Sequence, residues 1–287
     1  MKIWILLPAF NEEDSIPLMF PKIDKYMKQE GFDYSIVALD DGSSDDTFCV
    51  LEGVKGDYPL VILRHEINRG LGETERDLFE YVSEHGSDDD IAIRMDCDDT
   101  HEPHYILSMI KKVQEGYDVV NTSRFRKGGG QMGVNSYRSF ISYMANLFMA
   151  VMFNIKGVRD YSCGFRAYRV KALKYAVGIF GNSFIQLKGL GFTSTLEIIV
   201  KLKLMGCSFA EVPFVLRYDQ KASPSKMISS ITTLGYFSMA ILYHWPFGGW
   251  RPFYKHLAEI YRKDPEEAVN VYNKYAKRRT TICQIGG

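Results

Sequence analysis

The chain has no net charge, no paired cysteines and none of the familiar phosphate-binding loops. Lys and Arg together number 35, as do Asp and Glu, so the formal charge is zero. Without a basic field, nothing in the composition points to nucleic acid as a partner. The five cysteines, Cys49, Cys97, Cys163, Cys207 and Cys283, are odd in number, widely spaced and never in a CxxC pair. That argues against a disulfide framework or a cysteine zinc site and for a reducing compartment. His101 and His104 do not form HxH or HExxH, so they are read as helix-entry residues rather than zinc ligands. There is no GxxxxGK[ST] and no GxGxxG after the first apolar run, which argues against phosphoryl transfer from ATP and against NAD chemistry. Internal repeats and low-complexity tracts are also missing.

Long hydrophobic runs are scarce. Two stretches lack Asp, Glu, Lys and Arg, residues 139–155 and 227–250. The second is long enough by count to cross a bilayer. However, Ser229, Ser230, Thr232, Thr233, Gly235, His244 and Pro246 interrupt it, and it is rich in Tyr and Trp. A surface-lying or packed helix is the expectation. Met144, Met149 and Met152 in the first stretch read as apolar packing. The opening MKIWILLPAFNEE has too short an apolar run for a signal peptide, and is expected to be the first strand.

What is present is an alternation. Apolar runs at 3–7, 35–39, 60–63, 91–95 and 118–122 read as strands. Helical patterns lie between them at 14–29, 45–54, 71–85 and 103–114. This order predicts an α/β fold with a mainly parallel central sheet and helices on both faces. The glycines of 128–130 mark a loop, an apolar helix follows at 137–154, and a late strand is expected at 209–216. The expected division is 1–226 as one domain, with a nucleotide-binding half 1–122 and an acceptor-binding half 123–226. Residues 227–287 would form a C-terminal extension of amphipathic helices.

Three of the strands end in acid. The first runs into Glu12-Glu13, the second into Asp40-Asp41 and the fourth into Asp96-Cys97-Asp98. Ligands of open α/β sheets bind at the carboxyl ends of the strands. Carboxylates there suit ribose and base N–H groups. A pair two residues apart suits a hard cation such as Mg²⁺ shared with substrate phosphates. Alone, Asp40-Asp41-Gly-Ser-Ser-Asp could be a turn and a helix cap; three such clusters on one edge favour a nucleotide diphosphate with Mg²⁺ or Mn²⁺.

The segments LPAFNEE, ALDDGSSDDT, HEINRGLGET, DCDDTHEP, NTSRFRKGGG, YRSFISYMAN, DYSCGFRAYR and EVPFVLRYDQKASPSKM occur in this order over about residues 3–227. In this they resemble family-two glycosyltransferases of GT-A fold, in particular the dolichyl-phosphate mannose synthase-like, polyprenyl-phosphate branch. The resemblance implies metal-dependent, inverting transfer of a sugar from a GDP- or UDP-sugar, GDP-mannose among them, to a polyprenyl phosphate. Pro8, Phe10 and Glu12 would line the nucleoside pocket, with Asp41 on the base or ribose and Cys97 beside the donor. Asp96 and Asp98 would hold the metal, Asp96 nearer the sugar diphosphate. Thr100 stands where the family often has Gln. Arg124 would meet a phosphate or the donor sugar, and Arg138 and Ser142 the acceptor phosphate. Lys226 would approach the diphosphate. Gln220 occupies the place of a family arginine, for which Arg217 or Lys221 could substitute.

A phosphate acceptor is already anionic and needs cations rather than a base. A hydroxyl acceptor, the alternative, needs a base within hydrogen-bond reach, for which Asp160 and Glu197 are the candidates. Asp160 could instead brace Arg166, and Glu197 could partner a basic residue. A non-catalytic nucleotide-sugar-binding protein is the third possibility. The uncharged helices would seat the enzyme on the cytoplasmic face of a membrane, or pack against each other or in a dimer.

Overall fold

The chain's apolar runs carry few polar interruptions because both faces of the sheet they form are covered. The computed structural model describes residues 1–221, 229–243 and 252–274. The five expected strands are β1 (Ile3–Ala9), β2 (Tyr34–Asp41), β3 (Leu60–His65), β4 (Ile91–Arg94) and β5 (Val119–Ser123). The helices between them are α1 (Ile16–Gln29), α2 (Thr47–Val54), α3 (Leu71–His85) and α4 (Tyr105–Gln114). Successive side chains of a strand point to opposite faces. Ile3, Ile5 and Leu7 therefore enter one core with α1 and α4, and Trp4 and Leu6 enter the other with α3.

The later elements are β6 (Gly130–Met132), α5 (Ser136–Phe153), β7 (Arg166–Arg169), α6 (Val170–Phe180), α7 (Thr193–Met205), β8 (Phe209–Pro213) and β9 (Val215–Arg217). They are followed by α8 (Ser229–Tyr243), α9 (Pro252–Lys263) and α10 (residues 265–274). The main sheet has the order β3-β2-β1-β4-β7-β5-β8. Its pairs are parallel except that β7 runs antiparallel to both β4 and β5. The strand expected at 209–216 is two strands. Pro213 has no N–H to continue a ladder, and after it the chain leaves the main sheet to pair β9 with β6.

The inserted β7 decides the geometry of the site. Because it is antiparallel, its entrance lies at the edge where β4 and β5 exit. Residues 160–165, just before β7, thus meet Asp96–Asp98 after β4 and Arg124 after β5.

Helix α5 is capped by Asn135, whose Oδ1 accepts from the Arg138 N–H at 2.8 Å, and it ends at Asn154 in the left-handed region. It buries Met149 and Phe153 but exposes Tyr137, Phe140, Tyr143, Met144, Leu147 and Val151. Helix α8 packs beside it, with Phe148 and Phe237 rings 5.3 Å apart, and exposes Leu234, Ile241 and Leu242. Among the described residues no helix is long and apolar enough to cross a membrane.

Candidate active site

A cavity of about 580 Å³ opens along the carboxyl edge of the sheet. Its floor is Pro8, Phe10, Glu12 and Asp41 from the exits of β1 and β2, with Asp96, Cys97 and Asp98 after β4. Arg124, Arg138 and Ser142 form one wall, and Lys221 another. Arg217 is not among the lining residues; it pairs with Asp219 at 2.9 Å, and its N–H donates to the Thr100 carbonyl at 3.0 Å. Lys226 lies outside the described residues.

The loops after β1 and β2 are tied together. Asn11, at a φ of 52°, accepts the Ser44 N–H at 2.8 Å, while its own N–H donates to Ser43 Oγ at 2.9 Å. The Glu12 N–H donates to Thr47 Oγ1 at 2.7 Å. Gly42 has a φ of 66°, and a Cβ there would strike the backbone of Ile67 and Asn68, so only glycine lets the third loop close on the second. Asp41 anchors that third loop. Its oxygens accept the Arg69 and Gly70 N–H groups, both at 2.9 Å, and Oδ1 also meets His65 Nδ1 at 2.6 Å. The other His65 nitrogen contacts Asp77 at 2.8 Å, which links the pocket to α3.

At the acidic pair each carboxylate has a cation. Arg94, buried in β4, bonds Asp96 Oδ1 with Nη1 and faces Glu75 Oε1 at 2.8 Å. A Cβ at Gly164 would overlap this guanidinium, so the glycine before Phe165 makes its room. His101 Nδ1 accepts the Asp96 N–H at 3.0 Å, which leaves the ring hydrogen on Nε2, 3.6 Å from Asp96 Oδ2. Burial holds the His101 pKa below its ordinary value against the pull of Asp96 and Asp98. For Asp96, burial opposes ionisation, yet Arg94, His101 and Lys221 together bring its pKa down to about 2. Asp98 Oδ1 accepts from Thr100 Oγ1 at 2.6 Å and its N–H at 3.2 Å, and Oδ2 bonds Lys221 Nζ. Burial disfavours the Lys221 charge, but Asp98, Asp96 and Glu12 outweigh it and raise its pKa.

Among the described residues no group of three or more His, Cys, Asp and Glu is arranged to hold a metal. Two cavity-lining carboxylates of hard oxygen do fit Mg²⁺ or Mn²⁺, which takes its remaining ligands from a diphosphate and water.

The phosphate-binding wall is built differently. Arg124 Nε and Nη2 grip both oxygens of Asp160 at 2.8 and 2.9 Å, Nη2 also reaches Ser162 at 2.7 Å, and the Arg124 N–H reaches Asp160 at 3.1 Å. Asp160 thus braces Arg124. Arg166 instead donates to the carbonyls of Thr195 and Tyr161. Burial opposes the Asp160 charge, but the Arg124 charge and bonds, with help from Arg166, hold its pKa below the usual carboxylate range. Arg138 lies 5.2 Å from the Tyr218 ring. Glu197 is sealed in α7. It pairs with Lys201 at 2.7 Å and accepts the Gln186 and Leu187 N–H groups at 2.9 Å and the Tyr243 hydroxyl at 2.9 Å. This bond set holds the 186–192 loop, whose Lys188, Gly191 and Phe192 line the cavity.

Arg94 was not singled out as a site residue, though it was legible as a charge inside a buried strand. His101, expected as a helix-entry residue, accepts the Asp96 N–H at the acidic pair and lines the cavity. Thr232, Thr233 and Tyr236 place α8, beyond the expected boundary at 226, on the cavity wall; nothing in their spacing signals this.

An open, mostly parallel sheet with three acidic strand ends and an arginine wall is the architecture of a GT-A glycosyltransferase. A model of the family described as Glycosyl transferase family 2 matches residues 4–176, and the chain belongs to that family. It is 28% identical over 215 residues to the dolichol-phosphate mannosyltransferase of Pyrococcus furiosus, covering 75% of this chain and 56% of that protein. It is 30% identical over 171 residues to the undecaprenyl-phosphate 4-deoxy-4-formamido-L-arabinose transferase of Klebsiella pneumoniae, covering 58% of this chain and 49% of that one. The chain spans about half the length of these curated relatives. Glucosyl-3-phosphoglycerate synthase from Mycobacterium tuberculosis, solved with Mn²⁺, uridine diphosphate and phosphoglyceric acid, superposes with a TM-score of 0.57 at 17% identity, over 83% of this chain and 78% of that one. That likeness is one of fold.

Proposed function

We propose that the protein moves a sugar from a nucleotide diphosphate-sugar, a GDP- or UDP-sugar, to a polyprenyl phosphate, with inversion and with Mg²⁺ or Mn²⁺. The observation that carries this choice of acceptor is the fate of the two candidate bases. Asp160 is clamped by Arg124 and Glu197 by Lys201. Neither is poised to take a proton from a hydroxyl, as a hydroxyl acceptor would require. A phosphate monoester attacks without a base, and a wall of arginines suits it.

In this reading Pro8, Phe10, Glu12 and Asp41 receive the nucleoside. Asp96 and Asp98 would hold the divalent ion, which when bound neutralises charge growing on the leaving diphosphate. Arg124 stays charged and fixed, because Asp160 and Ser162 set its orientation before substrate arrives. Such pre-set charge is what favours a transition state over a ground state. Arg138 and Ser142, on the cavity face of α5, receive the acceptor phosphate. The exposed apolar faces of α5 and α8 flank the cavity and rest on the cytoplasmic surface of a membrane, where the lipid chain lies. The names of the Pyrococcus and Klebsiella relatives, both polyprenyl-phosphate transferases, support the acceptor class.

The test is a donor screen with Mn²⁺ or Mg²⁺, with and without a short polyprenyl phosphate, reading nucleotide diphosphate release. Release that needs the lipid phosphate and favours one donor is expected. Equal release without lipid, or release only on adding a glycan, refutes the acceptor assignment.

A further inference from the structure

The cation on Asp98 belongs to the chain itself. Lys221 Nζ bonds Asp98 Oδ2, with the two side chains only 10% and 12% exposed. Asp98 Oδ1 is taken up by Thr100. A divalent ion drawing on Oδ2 would therefore face an ammonium on the same oxygen. The opposite end of the pair is built otherwise. Arg94 is a rigid fork inside β4, held by Glu75 as well as Asp96. Lys221 has a flexible four-carbon stem and a compact charge. It follows the short turn Tyr218–Gln220 on the cavity wall, with the Tyr218 ring 5.8 Å from its ammonium. On the function proposed above, the anion that comes to this metal pair is the donor diphosphate, the acceptor phosphate being received by Arg138 and Ser142 on the other wall.

We propose that Lys221 is an exchangeable internal cation, neutralising Asp98 in the free enzyme and passing to the donor diphosphate when the divalent ion takes Asp98. This rests on the metal assignment above. It has a thermodynamic consequence. Metal alone must displace Lys221 and binds weakly. Nucleotide diphosphate gives Lys221 a new partner, so metal and nucleotide strengthen each other's binding by the same factor.

The experiment measures free Mn²⁺ by electron paramagnetic resonance, with protein alone and with UDP or GDP. Lys221→Gln is expected to bind Mn²⁺ alone roughly tenfold tighter than wild type, within the usual range of coupling between sites. The gain in Mn²⁺ affinity on adding the nucleotide should shrink by a similar factor. Lys188→Gln is the control, since Lys188 also lines the cavity but is held by Glu73 at 2.7 Å. Unchanged Mn²⁺ affinity in Lys221→Gln, or an equal gain in Lys188→Gln, overturns the exchange. Asp98→Asn separates the two levels. If it loses Mn²⁺ while Lys221→Gln behaves as wild type, the metal site stands and the exchange alone fails. If wild type binds no Mn²⁺ even with the nucleotide present, or Asp98→Asn binds it undiminished, the metal assignment fails and the exchange with it. Circular dichroism melts confirm that each variant is folded.

Discussion

Replacing Asp160 by Asn tests whether this carboxylate is a brace or a base. Asp160 is fully buried and takes three hydrogen bonds from Arg124, two of them from its guanidinium. Asn keeps the shape but loses the charge and turns an amide N–H₂ toward a guanidinium. Breaking one partner of a buried ion pair costs about 3–5 kcal/mol, because the other charge is left uncompensated. Unfolding entropy of about 2.1 cal/mol/K per residue, over 287 residues, gives about 0.6 kcal/mol/K. The melting temperature should then fall by roughly 5–8 °C, treating the chain as one cooperative unit. The double variant Asp160→Asn/Arg124→Gln should recover part of this, since it removes the stranded charge. The depressed Asp160 pKa fixes the sign with pH. Its stabilisation is fully present above the unfolded value of about 3.9 and is lost as pH falls through the folded one. The acid arm of the wild-type stability curve should accordingly be steeper than that of Asp160→Asn. Thermal melts by circular dichroism across pH 3–7 provide the assay. A single variant that melts within a degree of wild type yet loses kcat would refute the brace and restore Asp160 as a base.

Other substitutions probe neighbouring pieces. Gly164→Ala puts a methyl into the Arg94 guanidinium; overpacking of this kind costs about 1–3 kcal/mol, and Mn²⁺ affinity should drop because Asp96 loses its orientation, as titration would show. Burial depresses the Lys203 pKa to about 8, although its ammonium donates to the Phe153 and Asn154 carbonyls at the end of α5. Between pH 8 and the unfolded value of about 10.4 the unfolded chain holds more protons, so stability attributable to Lys203 should rise with pH there. Lys203→Met should lack that contribution, so a wild-type-minus-variant difference curve of urea midpoints should rise across this window. Leu234→Glu with Ile241→Glu, on the exposed face of α8, should abolish co-flotation with anionic liposomes while leaving the melting temperature within about 2 °C, since surface substitutions cost little; undiminished flotation would count against this face as the lipid contact.

The first half of the fold was open to reading because parallel strands buried on both faces must be apolar throughout. Each of those runs also ends in the loop that carries chemistry. Strand β7 resists the same approach. It is four residues long with an arginine at each end, and its strand character comes from being clasped between β4 and β5. Register places Arg94 opposite Arg166, both wholly buried. Like charges so placed repel, and only tertiary partners make them tolerable: Glu75 and Asp96 for one, two carbonyls for the other. No local pattern announces such partners. The Glu197–Lys201 pair was more accessible, since residues four apart on a helix are neighbours. Asp160 was not, because its partner Arg124 lies 36 positions away, with β6 and α5 between them.

These pairings bear on how the site can work at all. Asp96, Asp98 and Asp160 each carry a cation, so this part of the site is close to neutral before any substrate enters. A neutral site does not draw in a metal–diphosphate complex by net charge. It must accept it by exchanging partners. Asp160 and Arg124 are locked by a bidentate fork and by the backbone, which fits a group that must not move while charge develops. Arg94 is locked by a second carboxylate. Lys221 alone of these cations combines a single carboxylate partner with a long unbranched stem. The difference between fork and stem, arginine and lysine, is thus the difference between positions that hold geometry and the one position that can yield it. On this view Lys221→Arg should behave as a loss rather than a conservative change. A guanidinium in that place would bind Asp98 bidentately and surrender it reluctantly, and Mn²⁺ binding should weaken below wild type where Lys221→Gln strengthens it.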